Sequence, residues 1–202
     1  MTDEMLLALD QKRVDSYANV AVLDVLERQS VPATFFLAGK WVLRYPELTK
    51  RIAGNGLFEV GSHSFQYKGF TAKCGPLGAF KLDEMAADVT KSFDALRPFG
   101  GRQVPYFRFP GGCVDEQALA QLESTRVSVV GGDVVSGDAT GIPSATIVSN
   151  VVRQAKAGSI VAFHITKGNA PNTHTAVEQV VTELRRKGFE LVTVSELLRD
   201  AP

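Results

Sequence analysis

Residues 57–67, "LFEVGSHSFQY", pass from an apolar run into a polar loop at a single histidine, His63. The run reads as a buried strand, with His63 at its C-terminal end. Six other runs of the same kind punctuate the chain, at 4–10, 31–38, 104–109, 127–135, 159–164 and 189–194. A helical pattern follows each of them after a loop. The clearest spaces Leu82, Met85, Val89, Phe93 and Leu96 three or four apart, which is one apolar face of a helix. "YPELTKRIAGNG" has Pro46 near a helix start and Gly54 and Gly56 near its end. Val177, Val180, Val181 and Leu184 form another stripe, stopped by Gly188. Strict alternation of strand and helix predicts a parallel sheet with helical crossovers. Two architectures satisfy it: a closed, irregular (β/α) barrel and an open doubly wound sheet. No glycine-rich GxGxxG follows the first run, which tells against a dinucleotide-binding version of the second.

The 202 residues, 45% of them hydrophobic, suit one domain over the whole chain. The 22 basic and 22 acidic residues balance, and no like-charge run marks a nucleic-acid or anionic-membrane partner. A small neutral or sugar-like substrate fits better. The opening "MTDEMLLALD" is acidic, and its apolar run is too short for a signal peptide; no stretch is long enough to cross a bilayer. The chain as given is therefore expected to be soluble and cytoplasmic. Cys74 and Cys113 lie outside any CxxC pair. They are read as isolated small core or loop residues, not as a disulfide framework.

The polar residues gather where the apolar runs stop. Asp10 ends the first, His63 the third and Arg108 the fourth; Asp133 lies late in the fifth with Asp138 just beyond, and His164 ends the sixth. In a parallel barrel such ends share one rim, where chemistry is done. Singly, each has a plainer explanation: a strand-end histidine can bond a loop, Arg108 can be an ion-pair partner, and Asp138 in "SGDATG" can form a turn. His174, in "NTHTAVEQ", reads as a solvated residue of a helix's first turn. Together the strand-end groups argue for an active or binding site.

The order of these segments resembles the polysaccharide deacetylases, the NodB-homology type of carbohydrate esterase family 4. "VPATFFLAGKWVLRYPELTKRIAGNG" is similar to the family's second strand and helix, and "FEVGSHSFQY" to its His-Ser/Thr-x-x-His motif. "FRFPGG" is similar to Arg-x-Pro-x-Gly, "GSIVAFH" to the strand carrying the acid histidine, and "VVTELRRKGFELVTVSELL" to the closing segment. The resemblance implies a distorted (β/α) barrel of about seven parallel strands and removal of acetyl groups from N-acetylated glycans by an activated water. It also implies a divalent metal, zinc or cobalt, held by one aspartate and two histidines, and proteins that are often exported. By position Asp10 would be the base, Arg108 its partner, the Gly111 N–H an oxyanion donor, His164 the acid, and Asp138 (or Asp133) the group that tunes His164.

The departures fall on the metal. Gln11 stands where the family has its metal aspartate and Tyr67 where it has the second histidine, so His63 alone remains of the triad. A neutral amide and a protonated phenol are poor ligands, and zinc sites ordinarily take three or more protein donors. Asp10 could turn to a metal instead, or the loop 64–79 could supply Tyr67, Lys68 or Cys74. Three functions stay open: a working deacetylase, an impaired homologue that binds glycans in the same groove, and a metal-free hydrolase using Asp10 and His164. Phe65, Tyr67, Tyr106 and Phe109 offer stacking faces for a sugar, although core packing is the commoner use of such rings.

Overall fold

The computed structural model describes residues 1–199. In chain order they form α1 (Asp3–Asp10), α2 (Val20–Arg28), β1 (Ala33–Leu37), α3 (Gly39–Arg44), α4 (Pro46–Gly54), β2 (Phe58–Ser62), α5 (Met85–Leu96) and β3 (Gln103–Phe107). Then come α6 (Glu116–Leu122), β4 (Ser128–Val129), β5 (Val134–Val135), α7 (Ser144–Gln154), β6 (Val161–Ala162), α8 (Thr173–Arg186) and α9 (Val194–Arg199). The chain packs into two compact units. The first takes Met1–Ala8 and Thr34–Gly131; the second takes Leu9–Ala33 and the described residues from Gly132.

In the first unit β1, β2, β3 and β4 lie side by side, with β2–β3 and β3–β4 parallel. All five residues of β2 are buried, as expected for a strand covered on both faces. That includes Glu59, whose carboxylate accepts from the Thr34 hydroxyl at 2.8 Å and lies 3.6 Å from the Arg102 guanidinium. The β2–β3 register breaks between Val60 and Ser62. There Gly61 faces the Tyr106 carbonyl so closely that a Cβ would stand 2.6 Å from its oxygen, so only glycine fits. Below the sheet, the Phe70 ring meets those of Phe80, Phe107 and Phe109 edge-on at centroid distances of 5.0, 5.3 and 5.1 Å, a favourable aromatic geometry. Met85 and Val89 of α5 and Ala118 and Leu122 of α6 complete this core.

In the second unit β5 and β6 pair in parallel, Val134 beside Val161 and Val135 beside Ala162. Val134, Val151, Val180 and Leu184 form its core. The α8 stripe of Val177, Val180, Val181 and Leu184 is buried throughout, and Gly188 takes the left-handed φ of +85° after the helix ends, a conformation that favours glycine.

Four expectations are corrected. The first run, 4–10, is helix α1. Its Glu, Met, Leu and Ala are strong helix formers with no β-branched residue among them, and Asp3 and Glu4 sit in the first turn where acids favour the helix. The fifth run is broken at Gly131 and Gly132 into β4 and β5, which belong to different units. The last run, 189–194, makes no strand; Thr193 instead starts α9, its amide donating to Glu196 Oε2 at 2.8 Å and its hydroxyl accepting from the Glu196 amide at 3.3 Å, a capping box. Six strands therefore stand among the described residues where about seven were expected. Lastly, Cys74 and Cys113 are joined by a disulfide, with Cα atoms 5.6 Å apart; 39 residues of sequence hid a contact that only the fold creates. His174 does sit in the first turn of α8, but it is half-buried and its Nδ1 is shielded from solvent.

Candidate active site

The motif after β2 is organised around a buried carboxylate. Asp88, on α5 and 4% exposed, accepts from the Ser64 hydroxyl at 2.7 Å, the Phe65 amide at 2.7 Å and the Gln66 amide at 3.0 Å. Ser64 Oγ in turn accepts from the Tyr67 amide at 3.0 Å. The first amides of α3 close the other side, Gly39 donating to the Ser64 carbonyl and Lys40 to that of Phe65. Ser64 and Tyr67 hold left-handed φ values of 69° and 61°, strained for residues with a Cβ and sustained here by those bonds.

This turn sets His63. Its amide bonds the Leu37 carbonyl at 3.0 Å, and its Nδ1 lies 2.6 Å from the Arg108 carbonyl. A carbonyl can only accept, so Nδ1 carries the proton and the neutral ring keeps its lone pair on Nε2. The Tyr67 ring stands edge-on to it at 5.3 Å, and burial pushes the Tyr67 phenol above its ordinary value, keeping it protonated. Arg108 follows β3; its amide continues the ladder to the Ser62 carbonyl and its Nη1 donates to the Gly131 carbonyl at 2.8 Å. Burial lowers the guanidinium's pKa, though an arginine remains charged. Next comes the turn Pro110–Gly112, where Gly111 and Gly112 have φ values of +66° and +68°. Tyr106 is half-buried within β3. Phe65 and Phe109 are buried in the core, and the Lys91 ammonium covers the Phe65 ring at 4.1 Å.

The second unit holds the other histidine. His164 follows β6, and its amide and Nδ1 both meet Asp138, at 2.7 Å to Oδ2 and 2.8 Å to Oδ1. Asp138 also accepts from the hydroxyls of Ser136 at 2.9 Å and Thr173 at 2.8 Å. Its side chain is 1% exposed while that of His164 is 40% exposed. Burial alone would raise the Asp138 carboxyl, but the hydrogen bonds and charge of His164 and the Thr173 hydroxyl hold it below the ordinary carboxylate range. Asp138 is thus an anion that fixes the tautomer of His164 and leaves Nε2 to exchange a proton. Asp133 points elsewhere, to the Ser159 hydroxyl at 2.8 Å and the Ile160 amide at 2.7 Å. Asp10 closes α1, a helix end and not a strand end, and is exposed.

A metal does not fit the residues present. Of the positions the family resemblance marks as ligands, Gln11 is a carboxamide whose Oε1 accepts from Arg13 at 2.9 Å, and Tyr67 is a phenol that burial keeps protonated. Among the described residues no group of three or more His, Cys, Asp or Glu could hold an ion. Asp88, Ser64, Ser136, Thr173 and the disulfide were not singled out in the sequence. Asp88 did leave a signal, since it falls three after Met85, on the helix face that should be apolar.

The polysaccharide deacetylase family profile matches residues 4–130. Two peptidoglycan-N-acetylglucosamine deacetylases of Bacillus cereus are similar: one is 30% identical over 182 residues, covering 88% of this chain and 80% of the relative. The other is 27% identical over 179 residues, covering 88% of this chain but only 62% of the relative's length. The crystal structure of a peptidoglycan N-acetylglucosamine deacetylase bound to an N-hydroxybenzamide superposes at TM-score 0.81 and 26% identity, over 92% of this chain and 84% of that one. A carbohydrate esterase family 4 pseudoenzyme from Bacillus anthracis shares the fold at TM-score 0.78 and 23% identity, over 91% of this chain and 62% of that one. The fold is the NodB-type α/β fold, and among the described residues no helix is long and apolar enough to cross a membrane. With the profile match and the 30% identical relative together, the chain belongs to the polysaccharide deacetylase family.

Proposed function

We propose that the protein hydrolyses the acetamide of an N-acetylated glycan, peptidoglycan being the first candidate because the similar relatives are named for it. The observation that carries this reading is the His164–Asp138 pair: a half-exposed imidazole on a buried, ionised carboxylate. In the reaction a water adds to the acetyl carbon, its proton going to Asp10; the C–N bond then breaks as His164 Nε2 gives a proton to the departing amine, leaving acetate and a free amino sugar. The family resemblance assigns Arg108 as the partner of the base, the Gly111 amide takes part of the oxyanion charge, and the Tyr67 phenol is a second donor. Tyr106 lines the sugar site. No step runs through zinc or cobalt, because the donor set does not suit either.

A second reading keeps the glycan and drops the turnover. Gln11 and Tyr67 favour it, since they replace the carboxylate and the imidazole that the family resemblance marks as metal ligands. Both readings take the same partner and neither needs a membrane. The Cys74–Cys113 disulfide supports an oxidising compartment outside the cytosol, against the cytoplasmic expectation.

Acetate release from N-acetylglucosamine oligomers and peptidoglycan fragments tests the proposal. Turnover in the wild type, lost in His164→Ala and cut in Asp138→Asn, is the expected result. Turnover unchanged by His164→Ala would overturn the mechanism. Saturable glycan binding without acetate would transfer the assignment to the second reading.

A further inference from the structure

We infer that the Cys74–Cys113 disulfide is a positioning element for the Gly111 amide, so that the hydrolysis proposed above runs in the oxidised protein and falls when the bond is reduced. The activity side of this inference rests on that reaction; the mechanical side does not.

The turn at Pro110–Gly112 has little of its own to hold it. Its two glycines lie at φ +66° and +68°, where glycine is easily accommodated but also readily leaves. Two backbone bonds close it, Gly112 to Phe109 at 3.0 Å and Cys113 to Pro110 at 3.4 Å. What it rests on is chiefly sulfur. A Cβ built on Gly111 would stand 2.9 Å from Cys74 Sγ, 3.1 Å from Leu77 Cδ1 and 3.4 Å from Cys113 Sγ, so the disulfide, with Leu77 beside it, forms the floor of the Gly111 peptide.

Cys74 is the fixed end of this link. It is 6% exposed, and Gly69 packs on it so tightly that a Cβ there would stand 2.6 Å from Cys74 Cβ. The surrounding loop is tied at its base, Gly69 donating to Gly78 at 2.9 Å and Phe80 to Gly69 at 3.0 Å. Cys113, at the other end, is half-buried beside the exposed Gly111 and Gly112. The bond therefore pins a pliable, exposed turn to a buried anchor 39 residues away in sequence, and leaves one sulfur within reach of a thiol.

Reduction balances simply. One thiolate of a dithiol reductant attacks a cysteine sulfur to give a mixed disulfide, and its second thiol resolves it. Two electrons and two protons pass to the protein, which gains two thiols as the reductant closes to its own disulfide; a disulfide oxidant reverses the change. An oxyanion donor acts only if it is in place as charge develops, so loosening the turn should lower kcat and spare KM.

The test uses fully oxidised protein, the same protein after dithiothreitol, and the latter re-oxidised with oxidised glutathione. Acetate release from N-acetylglucosamine oligomers and amide hydrogen exchange are followed in each. The expected result is a drop of about ten- to a hundredfold in kcat with KM within about twofold, and faster exchange confined to residues 109–113 and the 69–80 loop. Re-oxidation should restore both. A Cys74→Ser/Cys113→Ser variant should start low and ignore the reductant. Unchanged exchange at 109–113, or unchanged kcat, overturns the inference; exchange that rises throughout the chain overturns it in favour of a general structural role. If the oxidised protein releases no acetate, the hydrolytic reading fails, and the exchange pattern alone decides whether the disulfide holds this turn.

Discussion

His63 and His164 are both fixed through Nδ1, yet by different partners. His63 meets a carbonyl at 2.6 Å, His164 a carboxylate at 2.8 Å. A carbonyl sets the tautomer and does no more. An ionised carboxylate also supplies a counter-charge for the imidazolium, and Asp138 is kept ionised by the donors around it. The difference separates two jobs that sequence position alone would treat alike. Under the function proposed above His164 carries the proton; His63 holds still, presenting one ring nitrogen beside the Tyr67 phenol.

The sharpest way to break that comparison is to remove each ring in turn. His164→Ala should lower acetate release by about 10²- to 10⁴-fold, the usual contribution of a proton donor, with Asp138→Asn close behind. His63→Ala should cost less than about tenfold, because no ion depends on it. Equal losses in steady-state assays would erase the distinction. Next in size is the scaffold of the first site. Asp88→Ala strips the partner from the Ser64 hydroxyl and the Phe65 and Gln66 amides. It should reduce unfolding free energy by about 3 kcal/mol in a denaturant titration. A loss below about 0.5 kcal/mol would mean water replaces the carboxylate at no cost.

The second site should show itself in acid. The folded Asp138 carboxyl titrates below its ordinary 3.8, so its contribution to stability is whole above that pH and is lost as pH falls through the lower folded value. Asp138→Asn should flatten that part of the acid limb, and a limb unchanged between wild type and variant would show that other carboxylates make it. The smallest effect concerns metal. Excess zinc should move the wild-type Tm by less than about 1 °C, since stabilisation requires binding to the native state. A large shift abolished by His63→Ala would show a ligand set that Gln11 and Tyr67 conceal.

Much of this was legible in the chain, and the failures have physical causes. The α8 stripe survives translation into structure because burial enforces its period, Val177, Val180, Val181 and Leu184 all being buried, whereas in the α5 stripe Leu82 lies before the helix and is exposed. His63, Arg108 and His164 stand out in the sequence because a polar side chain ending an apolar run is conspicuous. The first run was misjudged because seven apolar and acidic residues do not by themselves choose between strand and helix, and composition rather than period held the answer. "TVSE" at 193–196 carried a helix-start signal that the neighbouring apolar residues masked. The disulfide and the Thr173 hydroxyl on Asp138 join positions 39 and 35 residues apart in sequence. No spacing rule reaches that far.

The turn wrapped on Asp88 has one further consequence. Its strained residues and fixed rings are ordered when the polypeptide folds, so the conformational entropy of residues 63–67 is lost then, before any sugar arrives. On the proposed function, glycan association at this turn should therefore carry little ordering penalty, and a variant that frees the turn should weaken binding chiefly through a less favourable entropy.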